Sequence, residues 1–157
     1  MWVTRRPMLN MKRVLFICTG NSARSQMAEG LLRTLGGKEY DVYSAGTHPF
    51  PVRPKAVQVM REIGIDISTH YSKSLDQFVD QPFDYVITVC DNAKESCPVF
   101  HGAKEMLHWS IKDPVEVWGT EETRLQAFRK ARDELAGRIR KTFKLHRKDK
   151  KNPTSSR

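Results

Sequence analysis

A chain of 157 residues with 39% hydrophobic and 9% aromatic content is expected to fold as one domain with a full apolar core. Its formal charge of +9 sits at the ends: residues 1–13 carry four basic and no acidic side chains, residues 138–157 nine basic and one acidic, and the body between them is slightly acidic. With no interleaving of aromatic and basic residues in the body, this pattern argues against a nucleic-acid surface. No run is apolar for long enough to span a bilayer, and "MWVTRRPMLN" lacks the apolar stretch and cleavage site of a signal peptide, so a cytoplasmic protein is expected.

The layout reads as a flexible extension over 1–11, one folded domain over 12–144 and a disordered basic tail over 145–157. "KRVLFIC" (12–18) is the continuous apolar run of a strand buried on both faces. From Ala23 to about Leu35 the spacing of Met27, Leu31, Leu32 and Leu35 is helical, and Gly36-Gly37 stop it. "YDVYSAG" (40–46) alternates as a second strand. A proline-rich loop leads to a helix opened by Pro54 and closed at Gly64. "STHYSKSLDQF" gives a loop and a short helix, "FDYVITVC" (83–90) a third strand, and "AKEMLHW" (103–109) contains a fourth. A long helix over 121–144 closes the domain, with acidic residues at its start and basic ones at its end, as its dipole favours. This order predicts an α/β fold: a four-stranded parallel open sheet with helices on both faces. In such sheets ligands bind beyond the carboxyl ends of the strands, where Cys18, Cys90 and Asp113 are expected to meet.

"CTGNSARS" (18–25) is a C-x5-R-S loop between a strand and a helix. Its amides and the helix N-terminus form an anion cradle, so Thr19, Gly20, Asn21, Ser22, Ala23 and Arg24 are candidate oxyanion ligands. Arg24 offers a planar fork for two oxygens, and the same positive field favours a nucleophilic thiolate at Cys18. Ser25 can donate a hydrogen bond to the sulfur. A merely packed Cys18 would leave the glycine, the polar loop and the arginine unexplained. Cys90 and Cys97, the other cysteines, lie seven residues apart. The count is too small for a disulfide framework and the spacing is not that of zinc ligands, so no metal is assigned.

"VLFICTGNSARSQMAEG" resembles the signature loop of the low-molecular-weight protein tyrosine phosphatase superfamily, and with Gln26 where the phosphatases commonly have proline it is similar to the thioredoxin-coupled arsenate reductase branch. "VYSAGT", "IGIDIS", "FDYVITVCDNAKESCPVF" and "HWSIKDP" extend the resemblance from Lys12 to Phe143. It implies a three-layer sandwich in which Asp113, followed by Pro114, is the general acid. It also implies a relay. Cys18 binds arsenate, Cys90 attacks Cys18 and releases arsenite, Cys97 attacks Cys90, and thioredoxin or glutaredoxin reduces the last disulfide. A phosphatase needs only Cys18, Arg24 and Asp113, and commonly has tyrosine after the Asp-Pro pair, where this chain has "DPVEVWG". Some relatives carry a further cysteine in the loop, where this chain has Ala23.

If residues 90–97 formed one helix, about 1.5 Å per residue would hold the two cysteines roughly 10 Å apart. A disulfide tolerates Cα separations of only about 4.4–6.8 Å, so the segment has to bend or unwind on oxidation. Some relatives also hold a monovalent cation at positions matched by Asn21, Glu29, Ser44 and Asp66. A hydrogen-bond network bracing the loop accounts for the same residues, and no cofactor is required. Lys73 reads as a surface lysine, Trp109 as core, and the histidines as satisfied loop or core groups. The leading expectation is a monomeric arsenate reductase with an arsenate- or phosphate-like oxyanion as substrate. The alternatives are a tyrosine phosphatase acting through a cysteinyl-phosphate, and a non-catalytic oxyanion or redox module.

Overall fold

The computed structural model describes residues 11–96 and 100–145. Four parallel strands run in the order β2-β1-β3-β4: β1 (Lys12–Cys18), β2 (Tyr40–Gly46), β3 (Phe83–Thr88) and β4 (Ala103–His108). The helices are α1 (Arg24–Gly36), α2 (Pro54–Glu62), α3 (Asp91–Ser96) and α4 (Glu121–Thr142), with short 3-10 turns at Gly37–Glu39, Leu75–Gln77 and Pro114–Glu116. The expected α/β architecture is therefore present.

The centre of the sheet shows why. Val14, Leu15, Phe16 and Ile17 are all fully buried. Successive side chains leave a strand on opposite faces, so both faces of β1 are covered. α1 turns Met27, Ala28, Leu31 and Leu32 into the core and ends where Gly37 takes a φ of +61°. α4 lays Phe143 edge-on against Tyr40 and Tyr85, with ring centroids 5.1 and 5.0 Å apart. Its Arg129 and Arg132 both reach Glu62 at the end of α2, 2.8 and 2.9 Å away. Hydrogen bonds from Arg129 and Arg132 hold the Glu62 carboxyl below its usual range. β4 is an edge strand, half exposed at Met106 and charged at Lys104 and Glu105.

Two boundaries differ from expectation. β3 stops at Thr88, so Cys90 lies two residues past the strand rather than at its end. Pairing with β4 ends at Thr88 opposite His108, although the Val89 amide still reaches Ile17 O (2.8 Å), and Asp91 then starts α3. α4 ends at Thr142 because Lys144 turns into the left-handed region, φ +56°. Residues 1–10, Cys97 and the tail from 146 lie outside the described residues.

The register sets the place of the chemistry. Cys18 is opposite Gly46, Ile17 opposite Thr88, and Thr88 opposite His108. The carboxyl ends of all four strands therefore lie along one edge, and the segments that follow them share the same rim.

Candidate active site

At this rim a cavity of about 210 Å³ is lined by Cys18, Thr19, Gly20, Ser22, Ala23, Arg24 and Asp113, together with His48, Phe50, Arg53 and Val115. A larger cleft of about 730 Å³ beside Pro54 and Tyr71 contains none of these reactive groups.

The loop after β1 is held by its carbonyls. Those of Cys18, Thr19, Gly20 and Ser22 accept from the amides of Thr47, His48, Phe50 and Arg53 at 3.2, 2.8, 2.8 and 2.8 Å. The Asn21 carbonyl accepts from Gln26 Nε2 (3.1 Å) and Ser72 Oγ (2.8 Å). With the carbonyls turned outward, the amides are left to face the pocket, which is the polarity an anion needs.

The hydrogen bonds at Cys18 can be ordered from fixed donors. The Lys73 amide donates to Asn21 Oδ1 (2.9 Å), so the other end of that side chain is the NH₂ group. It donates to Ser25 Oγ (2.7 Å) and Ser44 Oγ (3.0 Å). Ser25 accepts there, and its own proton is free to point at Cys18 Sγ, 2.9 Å away. The Asn21 amide adds a second donor to the sulfur at 3.2 Å. Asn21 does this from a left-handed conformation, φ +50°, which asparagine tolerates better than most residues. Cys18 itself is buried, 2% exposed.

Arg24 is buried and aimed across the pocket: Nη1 donates to Ile111 O (2.8 Å), and Nη2 lies 3.3 Å from Asp113 Oδ2. Asp113 also accepts from the Val115 amide at 3.0 Å, capping the 3-10 turn that Pro114 opens. Cys90, 3% exposed, sits on the other side of the loop, with Sγ 3.3 Å from Thr19 Oγ1 and 3.4 Å from the Ala93 amide. The next residue is clamped: Asp91 Oδ1 lies 2.8 Å from His108 Nε2, and His108 Nδ1 lies 2.8 Å from Thr88 Oγ1. Cys18, Arg24 and Asp113 thus line one pocket, Ser25 sits on the Cys18 sulfur and Cys90 against Thr19 of the loop, and Cys97 falls outside the described residues.

The residues match a known pattern along nearly their whole length. The family model described as "Low molecular weight phosphotyrosine protein phosphatase" matches residues 13–152.

The chain belongs to the low molecular weight phosphotyrosine protein phosphatase family.

Within that family it is similar to arsenate reductases. It is 48% identical over 135 residues to the arsenate reductase of Halalkalibacterium halodurans, covering 86% of this chain and 96% of the relative. It is 41% identical over 129 residues to that of Bacillus subtilis, covering 82% and 93%. The solved structure of "An arsenate reductase in the phosphate binding state" matches with a TM-score of 0.73 at 34% identity, covering 84% of this chain and 96% of that one. A low molecular weight protein tyrosine phosphatase from T. tengcongensis matches with a TM-score of 0.69 at 30% identity, covering 85% and 98%.

Three residues of this family member have structural roles that the sequence did not reveal. Lys73 is not a surface lysine. Its side chain is 11% exposed, Nζ donates to Tyr71 O (2.8 Å) and lies 3.9 Å from Glu29 Oε1. Burial holds its ammonium below the usual lysine range, with Glu29 opposing. Gln26 is fully buried and spans Asn21, Tyr71 O (2.9 Å) and His70 Nδ1 (2.9 Å), contacts a proline could not make. Burial holds His70 below its ordinary range as well, and its Nδ1–H donates to Gln26 Oε1, an oxygen that can only accept. Both partnerships join segments more than forty residues apart, and no local pattern announces them.

The four positions matched to a cation do not fit one. Asn21, Ser44 and Glu29 do meet, but Asn21 presents an NH₂ donor there and Ser44 donates to Glu29 Oε1 at 2.5 Å. Glu29 Oε2 is 2.5 Å from Arg33, and Asp66 turns away to the Ser68 amide (2.8 Å). Among the described residues this cluster is a hydrogen-bond brace neutralised by Arg33 and Lys73.

Gly46 is the third. A Cβ there would lie 2.6 Å from Thr19 O and 2.8 Å from the Asn21 amide, both backbone atoms that cannot step aside. Gly46→Ala is expected to displace the loop at a cost of about 1–3 kcal/mol and to abolish phosphate protection of Cys18 against alkylation. Protection equal to the parent protein would refute this role for Gly46.

Proposed function

We propose that this protein reduces arsenate to arsenite, with Cys18 as nucleophile and Cys90 as the second thiol. The observation that carries the reading is Cys90: a buried thiol 3.3 Å from a side chain of the oxyanion loop, which ester hydrolysis alone does not require. The resemblance to arsenate reductases over most of both chains supports it.

The loop amides and Arg24 hold the oxyanion, and the Cys18 thiolate attacks arsenic. Asp113 gives a proton to the oxygen that leaves as water, and a thioester of arsenate forms on Cys18. Cys90 then attacks Cys18 Sγ. The electron pair of the sulfur–arsenic bond stays on arsenic, which departs as arsenite, and a Cys18–Cys90 disulfide remains. Cys97 attacks Cys90 and frees Cys18, and a dithiol reductant of the thioredoxin class restores both thiols. The enzyme is read as a cytoplasmic monomer; no described helix is long and apolar enough to cross a membrane.

The phosphatase reading shares Cys18, Arg24 and Asp113, and weak ester hydrolysis fits the same pocket. Val115, where tyrosine is common in phosphatases, lines the pocket here and offers no aromatic wall. Trp118, three residues further on, is 91% exposed.

Asp113→Asn keeps the acceptor for the Val115 amide and removes the acid. The rate of the first step is expected to fall about 10²–10⁴-fold, with the loss in kcat rather than KM. Unchanged kcat would remove Asp113 as the acid of the first step. The reading as a whole is tested by arsenite release with thioredoxin, thioredoxin reductase and NADPH, with a glutaredoxin system in parallel. Arsenite formed in step with NADPH consumption is expected. Ester hydrolysis without arsenite would return the protein to the phosphatases.

A further inference from the structure

Arg53 lines the reaction pocket and has no assigned role. It is held from both sides. Its amide donates to the Ser22 carbonyl of the loop at 2.8 Å, and Pro54 fixes the chain behind it as the first residue of α2. Its guanidinium lies over the Phe50 ring, 4.4 Å from the centroid, with Phe50 itself lining the same pocket. Its Nε is buried and has no hydrogen-bond partner, and no acidic side chain pairs with it among the described residues. A half-buried arginine without an acid is uncommon, since an unpaired donor away from water costs stability.

The charge balance of the pocket gives this cation a use. Arg24 is already engaged, by Ile111 O on one nitrogen and by Asp113 on the other. An arsenate dianion meeting the Cys18 thiolate brings more negative charge than one guanidinium balances. We infer that Arg53 is a second oxyanion-binding residue, closing over the outer oxygens of a small tetrahedral dianion whose inner oxygens lie on the loop amides and Arg24. The Phe50 ring lies under the Arg53 guanidinium, and the bond from the Arg53 amide to Ser22 O ties its position to the loop. The inference rests on the oxyanion site proposed above and extends it to one more residue.

The test uses the full chain and two readouts: the Kd of inorganic phosphate, from protection of Cys18 against iodoacetamide, and the KM for arsenate. Arg53→Met keeps the stem that packs at the rim and removes the charge; Arg53→Lys keeps the charge. Arg53→Met is expected to raise the phosphate Kd and the arsenate KM together by roughly tenfold, the scale of one charged hydrogen bond, with kcat changing less than KM. Arg53→Lys is expected to recover most of that loss. Unchanged Kd and KM in Arg53→Met would overturn the inference. Equal losses in both variants with lowered Tm would also overturn it, because packing would then be the role. Failure of phosphate to protect Cys18 in the parent protein would instead overturn the oxyanion site itself.

Discussion

Cys90→Ser is expected to end turnover of arsenate, by on the order of 10³-fold or more, while hydrolysis of a small phosphate ester continues. The reason is the identity of the attacking atom. Release of arsenite needs a sulfur that can take Cys18 Sγ into a disulfide and leave an electron pair on arsenic. A serine hydroxyl in the same place cannot do this. Hydrolysis of an ester asks only for water at a cysteinyl-phosphate, and Cys18, Arg24 and Asp113 remain in place for it. The fold should survive, because serine is nearly isosteric with cysteine and the hydrogen bonds of Cys90 Sγ among the described residues, with Thr19 Oγ1 at 3.3 Å and the Ala93 amide at 3.4 Å, are weak. Steady-state arsenite release and ester hydrolysis measured on one preparation check this. Normal arsenite release by Cys90→Ser would remove Cys90 from the reaction.

The position of Cys90 also says what has to move. It precedes α3, six residues whose length is too short to be stable alone, and Asp91 is pinned by His108 at 2.8 Å and Ser110 at 3.3 Å. That clamp holds Cys90 beside the loop while the thiols are reduced. The proposed disulfide between Cys90 and Cys97 would need Cα atoms about 4.4–6.8 Å apart, a separation that a continuous helix across 90–97 does not allow.

Cys18→Ser is expected to remove both activities, by on the order of 10⁴-fold or more. Two donors converge on the sulfur, from Ser25 and the Asn21 amide. A serine hydroxyl in that setting keeps its proton and is a far poorer nucleophile toward arsenic or phosphorus. The substitution is nearly isosteric in a buried position, so phosphate binding should persist and separates loss of chemistry from loss of the pocket. Retained ester hydrolysis in Cys18→Ser would place the nucleophile elsewhere.

Cys18, Arg24 and Asp113 were legible in the sequence because each lies in a short motif at a strand end, and a parallel sheet brings strand ends to one rim. The register places Cys18, Gly46, Thr88 and His108 there together. Cys90 was legible as chemistry but misplaced by two residues, since an apolar run does not reveal where its hydrogen-bonding partner strand stops. The brace around the loop was not legible. Lys73 reaches Asn21 across 52 positions and His70 reaches Gln26 across 44, so neither contact leaves a local periodicity. Gly46 read as part of a motif, yet its reason is a backbone approach of 2.6 Å to Thr19 O. Arg53 looked like a loop residue before a proline until the fold set it over Phe50 in the pocket lining.

In the proposed reaction, two electrons leave this protein's own thiols when arsenate is reduced. Fully reduced protein mixed with excess arsenate and no external reductant tests it, with arsenite quantified and the disulfide located by peptide mapping. One arsenite per chain, with Cys90 in the disulfide that forms, is the predicted result. No arsenite, with all three thiols still free, would contradict it.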